Sequence, residues 1–189
     1  MVFKHLFFGK GIQVKKIQSG VAKGIKMNID FNNKTQRYLG IDEREIQKKF
    51  KQFAISTNTF VDIGSSDGYD GLIYYKYNRT GTQFLIDADA QFIDIQRENF
   101  KMNFFDTKNV HFIAKFIANY SDENHVDIDN FLKDMNGPFF LKIDVDGGEL
   151  EVLKGVAKVL QKAQCKVILE PTTKELEINC CNNLRKFWI

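Results

Sequence analysis

Thr59 to Gly71 reads TFVDIGSSDGYDG. Thr59 to Ile63 has the composition of a short buried strand. It runs into a turn whose glycines, serines and aspartates carry no lysine or arginine. A glycine-rich turn between a buried strand and a helix is a ligand-binding connection in many α/β proteins. The usual ligand is a phosphate held by the helix N-terminus. Here the glycines Gly64, Gly68 and Gly71 miss the GxGxxG spacing, and GxxxxGK[ST] occurs nowhere in the chain. The acidity therefore argues against an anion and for a ligand with positive charge.

Outward from this turn the pattern is regular. FVDI predicts a strand followed by a helix over Tyr69 to Tyr77. QFLID is a second strand, followed by a helix from Ala90 to Phe104 with Ile93, Phe100 and Phe104 on one side. VHFIAKFI is a third strand, IDNFLKDM a short helix and FFLKIDV a fourth strand. GELEVLKGVAKVLQKA predicts one helix with Leu150, Leu153, Ala157 and Leu160 on a shared face. Its glutamates come early and its lysines late, which complements the helix dipole. KVILE is a fifth strand and KELEINCCNNLRKF a final helix. Apolar strands alternating with helices imply βαβ units, hence an α/β fold with a mostly parallel sheet covered on both faces.

Before the turn, GIQVKKIQ and GIKMNIDF alternate as two short strands, with a turn near Ser19 to Gly24. Asp42 to Phe53 places Ile46, Phe50 and Phe53 at helical spacing, and Asp42 with Glu45 reads as a capping-box variant. These elements form an N-terminal extension, 1–57, on a ligand-binding domain, 58–189, as one globular unit. The 189 residues suffice for one sizeable core.

Composition excludes several functions. A net charge of +3 and the lack of a basic stripe give no case for nucleic acid. Cys165, Cys180 and Cys181 form no CxxC pair and leave an odd count, which favours a reducing compartment over a disulfide framework or a zinc site. His5, His111 and His125 are scattered without ligand spacing, so no metal is expected. The start MVFKHLFFGKG is too short in apolar run for a signal peptide, and no stretch reaches the length of a membrane span. A cytoplasmic location follows as an expectation.

Carboxylates mark three strand ends: Asp62 and Asp67 around the first, Asp87 at the second, Asp144 and Asp146 at the fourth. Ligands of such sheets sit there. Asp87, about 20 residues past the glycine turn, is placed to accept from two ribose hydroxyls. On its own it would serve equally as a helix cap. A ribose together with an ammonium and a sulfonium describes S-adenosylmethionine.

DIGSSDGY resembles motif I of the class I S-adenosylmethionine-dependent methyltransferases, and FLIDAD resembles their ribose-binding strand end. FLKIDVDGGELEVLKG is similar to the Lys-Ile-Asp-Val-Glu-Gly-x-Glu-x-x-x-Leu-x-Gly signature of the FkbM-type methyltransferases. The resemblance covers about Lys23 to Glu177 and implies a Rossmann-like fold, S-adenosylmethionine as cofactor and methyl transfer to a sugar or other small hydroxyl-bearing acceptor. It implies that Gly64, Ser65, Ser66, Asp67, Gly68 and Tyr69 surround the methionine part, with Asp62 orienting that end. Asp87 would hold the ribose, Ala88 would flank the adenosine, and Lys115, Phe116 and Ile117 would lie near the adenine. Asp144, Asp146 and Lys142 would line the transfer cleft, and Tyr38 and Glu43 belong to a segment that covers the cofactor.

The chain departs from the pattern in three places. The signature glutamate is Asp146, and Glu170-Pro171-Thr172 stands where many relatives have Glu-x-His. Only 19 residues follow Glu170, so the antiparallel pair that ends the class I sheet is expected to be missing. Two other functions remain open at this point: a cofactor-binding module without catalysis, and a nucleotide-binding oxidoreductase, which the glycine spacing disfavours.

Overall fold

The computed structural model describes residues 10–135, 137–162 and 164–185. The reading of the MVFKHLFFGKG start, His5, and the last residues of the final predicted helix lie outside the described residues. Five parallel strands form the central sheet: β3 (Thr59–Ile63), β4 (Thr82–Asp87), β5 (Val110–Ala114), β8 (Phe139–Ile143) and β9 (Cys165–Leu169), in the order β5-β4-β3-β8-β9. Chain order reverses at β3, which lies between β4 and β8, and the crevice for a ligand opens there.

The alternation of each strand divides the core. Phe60, Leu85 and Phe140 face one side with Phe50 and Tyr74; Val61, Ile63, Phe84, Ile86, Leu141 and Ile143 face the other with Val152, Leu153 and Leu160. Both faces are apolar because both are covered, by α2 (Gln47–Ile55), α3 (Tyr69–Tyr77) and α4 (Ala90–Met102) on the first, and by α5 (Ile128–Phe131), α6 (Glu149–Gly155), α7 (Ala157–Gln161) and α8 (Lys174–Arg185) on the second. Asp62 and Lys142 are paired neighbours on β3 and β8, and they share the first face at its carboxyl end.

The predicted N-terminal hairpin forms as β1 (Ile12–Lys16) and β2 (Lys26–Asp30), antiparallel and separate from the central sheet. It rests on α4: the Asn28 and Lys26 amides donate to Asn99 Oδ1 at 2.9 Å and Asn103 Oδ1 at 2.8 Å. The hairpin thus does not extend the sheet, and among the described residues no strand lies beyond β9. Ile17, Met27, Ile29 and Phe31 nonetheless join the core of the first face. No helix among the described residues is long and apolar enough to cross a membrane.

Several elements differ from the sequence reading. The helix expected from Asp42 starts at Gln47, because Asp42 turns its carboxylate to Arg37 Nε at 2.8 Å instead of capping. The stretch VHFIAKFI splits: after Lys115 donates to the Asp87 carbonyl, the chain leaves the sheet and forms β6 (Phe116–Ile117) against β7 (His125–Val126). The long helix after β8 breaks at Val156. Gly155 is pressed on the Ala118 carbonyl and Ile117, and the Asp129 carboxylate takes the Lys158 and Val159 amides at 2.8 Å, capping a new helix. Phe104, expected on the core face of α4, is 97% exposed; the buried face carries Phe100, as expected, together with Gln96 and Asn99. Between the hairpin and α2 lies one further short helix, α1 (Thr35–Leu39).

Candidate functional site

A cleft of about 590 Å³ opens at the carboxyl ends of β3, β4 and β8, within the range of small-molecule sites. Gly64, Ser66, Asp87, Ala88, Lys115, Phe116, Ile117, Asp144 and Asp146 line it, all singled out from the sequence. Ile63, Ile86, Phe92, Val145 and Val152 add an apolar wall, and Glu151 adds a further carboxylate. Among the described residues Lys115 is the one basic residue in the lining, and its ammonium donates to the Asp122 carbonyl at 2.6 Å.

The turn after β3 is shaped by backbone contacts. Gly64 and Ser65 donate to the Ile86 carbonyl, and Ser66 donates to Asp87 Oδ2 at 2.8 Å, so Asp87 fastens the turn to the end of β4. The other oxygen, Oδ1, takes the Asp89 amide at 3.0 Å. Each carboxylate oxygen keeps one lone pair, and the side chain lines the cleft. Gly64 has φ 82, and a Cβ there would overlap the Asp144 carbonyl. Only glycine lets the ends of β3 and β8 approach this closely.

Other predicted residues support the turn from outside the cleft. Asp67 is nearly buried and held by Arg37 Nη1 at 2.6 and 2.7 Å and by Lys34 at 2.9 Å. Arg37 also stacks on the Tyr69 ring. Burial would lower the Arg37 pKa, but Asp67, Asp42 and Asp70 outweigh it and raise it. Burial, followed by Asp70, raises the Tyr69 hydroxyl above its ordinary value. Ser65 accepts from Gln96 Nε2 at 2.9 Å, and Gly68, at φ 79, begins α3 against Gln96. Tyr38 packs on Phe31, away from the cleft lining.

Beside the cleft, Lys142 is 2% exposed and ringed by carboxylates: Glu170 Oε1 at 3.0 Å, Asp70 Oδ2 at 3.1 Å, Asp144 Oδ2 at 3.2 Å and Glu43 Oε2 at 3.5 Å. Glu43, Asp144 and Glu170 bring oxygens within 4.8 Å of one another, and the lysine ammonium is their shared cation. Burial lowers the Lys142 pKa, but Asp70, Glu43, Asp62 and Asp144 together raise it, so the ammonium is held charged. Asp62 is 1% exposed and its Oδ2 has no hydrogen-bond partner. Burial, then Asp70, raises its pKa well above the ordinary carboxylate value.

Sequence reasoning missed Asp70, Glu170, Gln96, Asn99 and Arg37. Gln96 and Asn99 left a signal, since both interrupt the apolar face of α4; their amides donate to the Ser66 and Asp67 carbonyls at 2.8 Å. Glu149, read as a dipole partner, is fully buried and accepts from the Thr172 amide and hydroxyl at 2.7 Å. That contact fixes the segment after β9 that carries Glu170. Burial opposes the charge on Glu149, but the Thr172 hydrogen bonds prevail and lower its pKa.

The cleft suits the cofactor implied by the sequence. Asp87 has free lone pairs for a ribose, the apolar wall can receive an adenine, and the carboxylates suit cationic groups and repel pyrophosphate.

Comparison with known proteins agrees. The model of the methyltransferase FkbM domain matches residues 27–179. Precorrin-6y C5,15-methyltransferase from Geobacter metallireducens superposes with a TM-score of 0.54 at 16% identity, over 76% of this chain and 70% of that one. Precorrin 8w decarboxylase from Methanobacterium thermoautotrophicum gives 0.56 at 17%, over 79% and 72%. A putative S-adenosylmethionine-dependent methyltransferase from Streptococcus mutans gives 0.61 at 12%, over 93% of this chain and 46% of that one. At these identities the structures share the fold. No curated protein matches the chain significantly.

Proposed function

We propose that this chain, which belongs to the FkbM methyltransferase domain family and takes S-adenosylmethionine as cofactor, methylates a hydroxyl oxygen of a sugar or another small acceptor. The observation that carries the reading is the shared cleft: Asp87 from the end of β4 and Asp144 from the end of β8 line one acid-walled cavity beside the glycine turn. When bound, S-adenosylmethionine supplies a sulfonium methyl open to nucleophilic attack.

In this reading Asp87 accepts from the ribose hydroxyls, and Phe92, Phe116 and Ile117 enclose the base. Gly64 and Ser66 leave the backbone open to the methionine part, while Asp62, Asp67, Gly68 and Tyr69 act from behind by fixing the turn. Asp144, whose side chain is 46% exposed, accepts the proton of the acceptor hydroxyl as the oxygen gains its methyl group. Asp146 and Glu151, both exposed at the cleft, accept hydrogen bonds from neighbouring hydroxyls. An anionic acceptor would meet these carboxylates and be repelled. Orientation carries most of the acceleration, because the sulfonium is already a good leaving group. The carbohydrate class of acceptor rests on the family resemblance. Three free thiols, one of them exposed, agree with a reducing cytoplasmic location.

The test is transfer of a tritiated methyl group from S-adenosylmethionine to neutral glycans, polyols, amines and phosphorylated sugars. Label in neutral hydroxyl acceptors, reduced about 100-fold or more in Asp144→Asn, is the expected result for a lost general base. Label confined to amines or phosphorylated sugars would overturn the hydroxyl assignment.

A further inference from the structure

Lys142, itself buried, brings one positive charge to a group of acids larger than it can neutralise. Glu43, Asp70, Asp144 and Glu170 all lie within 3.5 Å of its ammonium, and Asp62 stands beside it across the β3–β8 register. Asp62 is buried, and Asp70 and Glu43 are largely so, and burying unpaired carboxylates is costly, so this side of the cage favours retained protons. The contacts indicate where. The Glu43 and Glu170 carboxyls bring oxygens within 4.8 Å of each other around one shared ammonium, with Glu43 the farther from it at 3.5 Å, and two carboxyl groups can share a hydrogen bond only if one keeps its proton.

Glu43 reaches the cage from the segment between α1 and α2, with its backbone at φ 47, a left-handed conformation uncommon outside glycine. Arg37 holds that segment in place by bridging Asp42 of the segment and Asp67 of the cofactor turn. The strained conformation places one acid of the N-terminal extension against two strand ends of the sheet.

We propose that Glu43 is a proton-carrying member of this cage and a positioning residue for the transfer cleft: as a neutral carboxyl it donates to Glu170, and the pair, through the Lys142 ammonium, holds the Asp144 carboxylate at the cleft mouth. What the positioned carboxylate then does rests on the methyl-transfer reading. The proton on Glu43 and its hold on Asp144 do not.

The electrostatic surroundings agree with the geometry. Facing Glu43 are Asp70 and Tyr69 of α3, Lys142 of β8, Asp144 just beyond it and Glu170 beyond β9, while Asp42, the residue before it, is engaged by Arg37 of α1. Burial, then Asp70, pushes the Glu43 carboxyl up to about 9, with Lys142 pulling the other way. A raised acid favours the fold fully below its unfolded value and loses that contribution as pH rises through the folded value. Above about pH 9 Glu43 therefore ionises, loses its donor hydrogen and repels Glu170.

Nuclear magnetic resonance of the full chain tests this. Glutamate side-chain carboxyls carry ¹³C labels, and the Asp144 and Val145 amides are followed from about pH 4 to 10 in the wild type, Glu43→Gln and Glu43→Ala. The expected result is one glutamate carboxyl that titrates near 9 in the wild type and is absent from Glu43→Gln. The two amides should follow that titration in the wild type, stay in place in Glu43→Gln, and be displaced already at neutral pH in Glu43→Ala. Glutamates that all titrate near the ordinary value of about 4.3 would overturn the proposal. So would a high titration that survives Glu43→Gln, or amides that do not follow it. If Glu43→Ala fails to fold, the wild type and Glu43→Gln decide alone. A wild type that does not bind S-adenosylmethionine would sink the methyl-transfer reading and leave this titration standing.

Discussion

The glycine turn after β3 and the cage around Lys142 sit side by side at the carboxyl end of the sheet, yet they are built in opposite ways. The turn is contiguous, Gly64 to Gly68, and its geometry comes from backbone contacts to the next strand end. The cage draws on the N-terminal segment, α3, β8 and the segments after β8 and β9, and it comes from charge. One is a local conformation that a few residues specify. The other exists only once the whole domain is assembled, so a change in any one segment is felt in all of them.

The largest expected effect comes from removing the cage's cation. Lys142→Met keeps the apolar stem but leaves buried carboxylates uncompensated, so chemical denaturation at neutral pH should show a loss of about 3–5 kcal/mol. Part of it should return as pH falls and the acids take up protons. A loss below about 1 kcal/mol would show that the cage is not held by its lysine.

The turn should fail for a different reason. Gly64→Ala puts a side chain into a left-handed backbone and against the Asp144 carbonyl, at a cost of about 2 kcal/mol or more that does not change with pH. A pH-dependent cost would mean that the two regions are not separable. Asn99→Ala should be milder, about 1–2 kcal/mol, since it leaves the Asp67 carbonyl and the Asn28 amide without their partner. In the same variant S-adenosylmethionine affinity should fall a fewfold, because the turn loosens while the cleft residues stay.

This contrast also explains what was legible in the sequence. Strand positions, the parallel arrangement and the cleft lining at Gly64, Asp87 and Asp144 follow from short-range pattern: apolar alternation, glycine at a turn, an acid at a strand end. Asp62, Asp67 and Lys142 were found as types but not as roles, because their partners Arg37, Lys34, Asp70 and Glu170 are distant in sequence and show no periodicity. The break at Val156 was hidden for the same reason: its cause, the Asp129 carboxylate, lies on another helix. Phe104 misled because an apolar residue at helical spacing looks the same whether or not the helix reaches it.

The central claim is that the acid-walled cleft receives a cationic nucleoside through Asp87. Isothermal calorimetry with S-adenosylmethionine and, separately, NAD, on the wild type and on Asp87→Ala, tests it most directly. The account predicts saturable S-adenosylmethionine binding, weakened roughly 10- to 100-fold in Asp87→Ala by the loss of charged hydrogen bonds, and no comparable response to NAD. Tight NAD binding with no response to S-adenosylmethionine, or equal affinity in the two proteins, would contradict it.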